Sequence, residues 1–155
     1  MQFDPTHPLQ TLFSRAESEI LSTLITSQRP LTRPALARNL ERKSVHRALA
    51  RLEPTGLIRR TAIDETDTYT INTEHVLFES LRAAHQAPAT LQDKLNALMK
   101  KGWTAQWTGN DIQLTGPAER AHMAGRAAGR VQDKWKEWTG QAITVHTTTA
   151  GTPEQ

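Results

Sequence analysis

The chain has 155 residues, room for one ordinary domain or two small ones with a self-sufficient core. Charged residues make up 23% and hydrophobic residues 37%, and Lys and Arg exceed Asp and Glu by only three. No stretch reaches the roughly 18 apolar residues of a membrane span, MQFDPTHPLQ is no secretory leader, and zero cysteines exclude a disulfide framework, a zinc finger and thiol catalysis.

A soluble, cytoplasmic globular protein with no membrane partner is therefore expected. Ser14-Arg15-Ala16-Glu17 has the form of a capping box, and Ile20, Leu21, Leu24 and Ile25 follow at helical spacing, predicting a first helix over about 15–27. Thr32 is a good N-cap, and Pro34 is tolerated in the first turn of a short second helix, about 33–40. Val45, Ala48, Leu49 and Leu52 recur at i, i+3, i+4 and i+7 and mark a third helix over about 42–53, ended by Pro54 and Gly56. Leu57 to Ala62 reads as a strand, Ile63 to Asp67 as a turn, and Thr68 to Ile71 as the returning strand.

Glu74 to Ala84 is predicted helical, with Val76, Leu77, Leu81 and Ala84 on one side, and Ala87-Pro88-Ala89 as a domain boundary. Leu91, Leu95, Leu98 and Met99 mark a further helix closed by Gly102. Trp103 to Trp107, the turn Thr108 to Asp111 and Ile112 to Leu114 form a hairpin. Pro117 opens a long helix to about Trp138, and Ile143 to Thr148 alternates as a last strand. The expected architecture is α+β: a winged helix-turn-helix over 1–86, a small α-β-β-α-β domain over 87–149, and a disordered tail over 150–155.

Leu40-x4-Val45-x3-Leu49-x2-Leu52-x3-Gly56-Leu57-Ile58 resembles the recognition-helix-to-wing signature of MarR/ArsR-type bacterial regulators. The longer stretch from His7-Pro8-Leu9 through Asn72-Thr73-Glu74-His75-Val76 is similar to the winged-helix heads of some bacterial nucleotidyltransferase-fold proteins. The resemblance covers about residues 7–86 and implies a third helix that enters the major groove of double-stranded DNA. The enzyme activity is not carried over. The Gly-Ser and paired metal-binding aspartates that go with it are not found after residue 86.

The residues support the same reading. At about 100° per residue, Lys43, His46, Arg47 and Ala50 fall opposite the apolar stripe of the third helix. Arg47 is the first candidate for a base contact, because its planar fork matches guanine O6 and N7. Lys43, Ser44 and His46 are candidates for bases or flanking phosphates, and Arg33, Arg42, Arg51, Arg59 and Arg60 for phosphates. Residues 14–60 hold ten bases and four acids, whereas residues 61–86 hold one base and five acids. Two features oppose DNA: Glu41 stands where the resembled family places a Ser or Thr cap, and the wing tip carries Asp64, Glu65 and Asp67.

In the second half, Trp103, Trp107, Trp135 and Trp138 are expected in a core or subunit interface. Ala121, Gly125 and Gly129 recur at i+4, a spacing that admits close approach of another element. Arg126, Arg130 and Lys134 form a basic stripe, either a solvated face or a second surface for nucleic acid or an acidic partner. The hairpin at Asp111 to Leu114, Pro117 and the segment Glu137 to Val145 weakly resemble the KH-like N-terminal domain of the bacterial replication initiator, which implies protein interaction and oligomerisation.

The six histidines show no metal-ligand spacing, and no phosphate loop or nucleophile elbow is present, so neither a cofactor nor an enzyme is expected. The leading expectation is a bacterial transcriptional regulator that binds double-stranded DNA as a homodimer. Its C-terminal domain would dimerise, or bind a ligand or protein partner. The alternative is a non-enzymatic adaptor linked to DNA replication or a mobile element, whose winged helix binds protein. A degenerate nucleotidyltransferase-type enzyme is a third reading.

Overall fold

A computed structural model describes residues 3–100 and 102–150. They form two compact units, one of residues 7–86 and one that joins residues 3–6 to the chain from 87 onward. The N-terminal residues 3–6, expected with the winged helix, thus belong to the other unit. There Phe3 offers its carbonyl to the Gln141 side-chain amide. Of the tail expected over 150–155, Ala150 is in a strand instead, and residues 151–155 lie outside the described residues.

In the first unit a 3-10 turn, Pro8–Thr11, leads to α1 (Arg15–Thr26). The capping box is formed in both directions: Ser14 Oγ accepts from the Glu17 amide at 3.3 Å, and the Glu17 carboxylate accepts from the Ser14 amide at 3.0 Å. There follow β1 (Leu31–Thr32), α2 (Arg33–Leu36) and α3 (Arg42–Leu52). The wing comprises β2 (Ile58–Ile63) and β3 (Thr66–Ile71). The sheet order is β1-β3-β2, all antiparallel. Ile20, Leu21 and Leu24 of α1 meet Val45, Ala48, Leu49 and Leu52 of α3 in one core, closed by Leu36 and the fully buried Tyr69. Gly56, at φ +75°, supplies the left-handed residue that ends the helical run and admits β2.

Two local expectations are corrected, and one short strand is added to them. The second helix stops at Leu36 instead of residue 40, because the Leu40 amide turns back to the Ala37 carbonyl at 3.3 Å around Arg38 and Asn39. The two-residue strand β1 carries too short a pattern to be read locally; its pairing of Leu31 with Tyr69 is a tertiary event. The wing turn is only Asp64 and Glu65, at φ 49° and 62°, so the strands pair out to Ile63 and Thr66.

The two units divide between residues 86 and 87, at the expected domain boundary, but no helix ends there. α4 runs without interruption over Phe78–Leu98 with Pro88 inside it. Proline cannot donate to the carbonyl one turn earlier, yet the apolar face continues through it, with Leu81 in the first core and Leu91 and Leu95 in the second. Residues 74–77 precede the helix, and Val76 and Leu77, expected on its apolar side, are exposed.

The second unit holds β4 (Thr104–Trp107), β5 (Asp111–Pro117), α5 (Ala124–Thr139) and β6 (Thr144–Ala150). A 3-10 segment, Ala118–Met123, stands where the long helix was expected to begin, because β5 extends through Pro117 and Arg120 leaves helical geometry. The sheet order is β4-β5-β6; β4 is antiparallel and β6 parallel to the central strand. Ile112 and Leu114 of β5, Val131 and Trp135 of α5, and Leu91 and Leu95 of α4 form its core. Trp107 and Trp135 meet in a tilted pair, 5.0 Å between ring centroids and 57° between planes. Gly116 is required by contact: an added Cβ would stand 2.5 Å from the Trp103 ring. Gly125 and Gly129, expected to admit a close neighbour, face open space instead. The fold is α+β, a winged helix-turn-helix followed by an α-β-β-α-β unit.

Candidate nucleic-acid interface

Helix α3 is held by its buried stripe, which leaves the opposite side to solvent. Arg42, Lys43, His46 and Arg47 are exposed on it, with Ser44 half-buried beside them. None of these cations has an acidic partner among the described residues. The first turn of α3 has no side-chain cap, since Glu41 makes no capping hydrogen bond. Its amides therefore remain available to an outside acceptor.

Arg33, at the start of α2, is fixed by the wing. Its Nε donates to the Tyr69 hydroxyl at 2.9 Å, and its guanidinium lies 5.9 Å from the Tyr69 ring centroid. That hydrogen bond, with the attraction of the same phenol, raises the Arg33 pKa above its ordinary value. The charge is permanent and its direction set. Arg33, Pro34, Ala37, Arg42, Val45 and His46 line one crevice of about 410 Å³ between α2 and α3. The mouth of the helix-turn-helix is thus an apolar slot rimmed by two guanidiniums and an imidazole, a shape suited to a phosphate or a base edge.

The other nominated arginines are placed differently. Arg51 Nη1 donates to Glu17 at 3.2 Å, closing over the capping carboxylate of α1. Arg59 Nη2 donates to Glu74 at 2.8 Å. Arg60 lies between two acids, 3.5 Å from Glu53 and 4.0 Å from Asp67. Each of these three expected phosphate contacts is engaged within the protein. The structure brings Arg33, Arg42, Lys43, His46 and Arg47 together and sets Arg51, Arg59 and Arg60 apart.

Two cations were not nominated from the sequence. Arg29 and Arg38 are exposed in the loops before β1 and α3, with no acidic partner among the described residues. The signal for them was the excess of ten bases over residues 14–60, distributed more widely than the helical projection alone suggests.

No family model matches the chain, and no curated protein matches it. The crystal structure of transcriptional regulator PA3341 is similar to it, with a TM-score of 0.48 and 21% identity over 86% of this chain and 88% of that one. At that distance the likeness carries no function across. Among the described residues no helix is long and apolar enough to cross a membrane, and no group of three or more His, Asp or Glu could hold a metal ion.

Proposed function

We propose that the chain is a sequence-specific regulator of transcription that reads the major groove of double-stranded DNA with α3. The observation that carries this reading is the outward face of α3, where Arg42, Lys43, His46 and Arg47 stand exposed without acidic partners among the described residues. Arg47 takes the base-reading role, with Lys43, Ser44 and His46 beside it. Arg33 and Arg42 hold the phosphate at the mouth of the crevice.

A second copy provides the other half-site. The second unit supports a homodimer through β6. Its opposite edge, β4, is closed by Gln92, whose amide donates to the Ala105 carbonyl at 2.9 Å and accepts from the Trp107 amide at 3.0 Å. No such lock covers β6 among the described residues, and its threonine-rich edge carries none of the lysines that discourage pairing. Two copies of β6 paired antiparallel would extend one sheet across a two-fold axis.

A salt-series gel shift with mixed duplex fragments tests the reading. Log affinity should fall steeply with log salt, at about −0.9 per phosphate neutralised. Arg47→Ala should cost the preferred site about 1–3 kcal/mol and relax choice at one base position. Unchanged affinity and preference in Arg47→Ala would remove α3 from the groove. The acidic wing tip favours a second reading, an adaptor whose winged helix docks on a basic protein surface. That reading predicts little duplex affinity at physiological salt.

A further inference from the structure

In the second unit, the basic stripe read from the sequence divides into two parts. Lys134 is paired, its Nζ donating to Glu137 at 2.7 Å. Arg126 and Arg130 have no acidic partner among the described residues and stand over a cavity of about 230 Å³. Lys100 completes its rim, and the lining holds no acidic side chain. Below them the surface is apolar: Leu98 and Met99 at the end of α4, Trp103, then Met123 and Ala127 around the start of α5.

This combination is more specific than either half of it. The cations supply hydrogen-bond donors for an anion, and the apolar hollow supplies a wall for an uncharged body. Together they match a molecule with an anionic head and an apolar body. Two methionines give the hollow an adaptable wall, while Trp103, held flat against Gly116, gives it a rigid one. The volume lies below the roughly 300–1,000 Å³ of sites for drug-sized ligands.

We infer that this cavity binds a small amphipathic carboxylate, a medium-chain or single-ring acid, with Arg126 and Arg130 gripping the carboxylate and the methyl groups of Met99 and Met123 against its body. The two guanidiniums lie one helical turn apart on α5, close enough to share one anion. The site uses residues of the second unit alone and does not rest on the DNA-binding reading.

Octanoate is the probe, with 1-octanol as its uncharged counterpart. The chain has three methionines, Met1, Met99 and Met123, so carbon-13 labelled methionine methyls give a direct readout. Octanoate should shift the Met99 and Met123 methyl signals saturably. 1-Octanol should bind at least about tenfold more weakly, the loss expected when a charged hydrogen bond is removed. Arg126→Ala combined with Arg130→Ala should weaken octanoate by a similar factor or more, whereas Lys136→Ala, outside the cavity, should not.

Met123→Trp should fill the hollow and abolish the shift of Met99. If that variant fails to fold, the exposed arginine pair still decides the matter. Equal affinity for octanol and octanoate, indifference to the arginine pair, or no saturable shift at millimolar octanoate would each overturn the inference. So would a single-stranded oligonucleotide that binds through Arg126 and Arg130 and is not displaced by octanoate. All measurements use the full chain without duplex DNA, so failure here and failure of the regulator reading are separate results.

Discussion

Helix α3 and the wing are adjacent parts of one small unit, and both are rich in arginine. Their charges are used in opposite ways. On α3, Arg42, Lys43 and Arg47 face solvent with no acidic partner among the described residues, whereas Arg59 and Arg60 of β2 are held by Glu74, Glu53 and Asp67. The wing then ends in Asp64 and Glu65. A phosphate approaching α3 meets cations that have no acidic partner among the described residues, with Glu41 at the first turn as the neighbouring acid; one approaching the wing must displace an ion pair and pass two carboxylates. Counting arginines would have treated the two surfaces as equal. What separates them is which charges the protein has already answered.

The comparison breaks most sharply under charge removal. Arg42→Ala, Lys43→Ala and Arg47→Ala combined should reduce duplex affinity by at least about 100-fold and flatten the salt dependence. Arg59→Ala with Arg60→Ala should change affinity by less than about threefold, since the charge of each is offset by neighbouring acids and the carboxylates at the wing tip repel the duplex. Gel shifts at three salt concentrations measure both. Equal losses in the two variants would mean that the wing arginines leave their acids to bind DNA, and the distinction drawn above would fall.

How far this contrast was visible beforehand depends on distance along the chain. The Ser14 and Glu17 capping box, the Thr32 cap and the apolar stripe of α3 are local patterns, and all three are formed as read. The contact of Arg51 with Glu17 joins residues 34 positions apart, and that of Arg59 with Glu74 spans the wing. No local pattern announces such pairs. Ala87-Pro88-Ala89 does mark the division between the two units, but the two helices expected on either side of it are one. Proline is a strong local punctuation mark, yet positions 81, 84, 88, 91, 95 and 98 keep alternating steps of three and four straight through it. The periodicity is the guide to the uninterrupted helix, in which burial of Leu81 in one core and of Leu91 and Leu95 in the other offsets one lost hydrogen bond. The glycines of α5 erred the other way: small residues at regular spacing permit a close neighbour without supplying one.

Glu17→Ala sharpens the comparison at a smaller scale, since it releases Arg51 from its partner. The Glu17 carboxylate is nearly buried, accepts from the Ser14 amide and receives Arg51. Losing it should destabilise the protein by about 1–2 kcal/mol in a denaturant titration. Duplex affinity should stay within about twofold, measured well below the unfolding midpoint. A clear gain in affinity would place the freed Arg51 within reach of a phosphate and extend the binding face from the first turns of α3 to its last.

The smallest effect sits at the tip of the wing. Glu65 adopts φ 62°, a left-handed conformation that costs a residue with a Cβ about 1–2 kcal/mol and glycine almost nothing. Asp followed by Gly is the preferred pair for a two-residue turn of this hand. Glu65→Gly should therefore stabilise the wing by about 0.5–1 kcal/mol, the extra freedom of glycine in the unfolded chain consuming part of the gain. It also removes one of the carboxylates that oppose DNA. With the tip standing away from the duplex, affinity should rise by less than about threefold, and the rise should vanish at high salt as screened repulsion does. A large rise would bring the tip against the phosphates. A loss of affinity despite the gain in stability would show that the carboxylate itself makes a contact, and the acidic wing would then be a docking surface instead of a bystander.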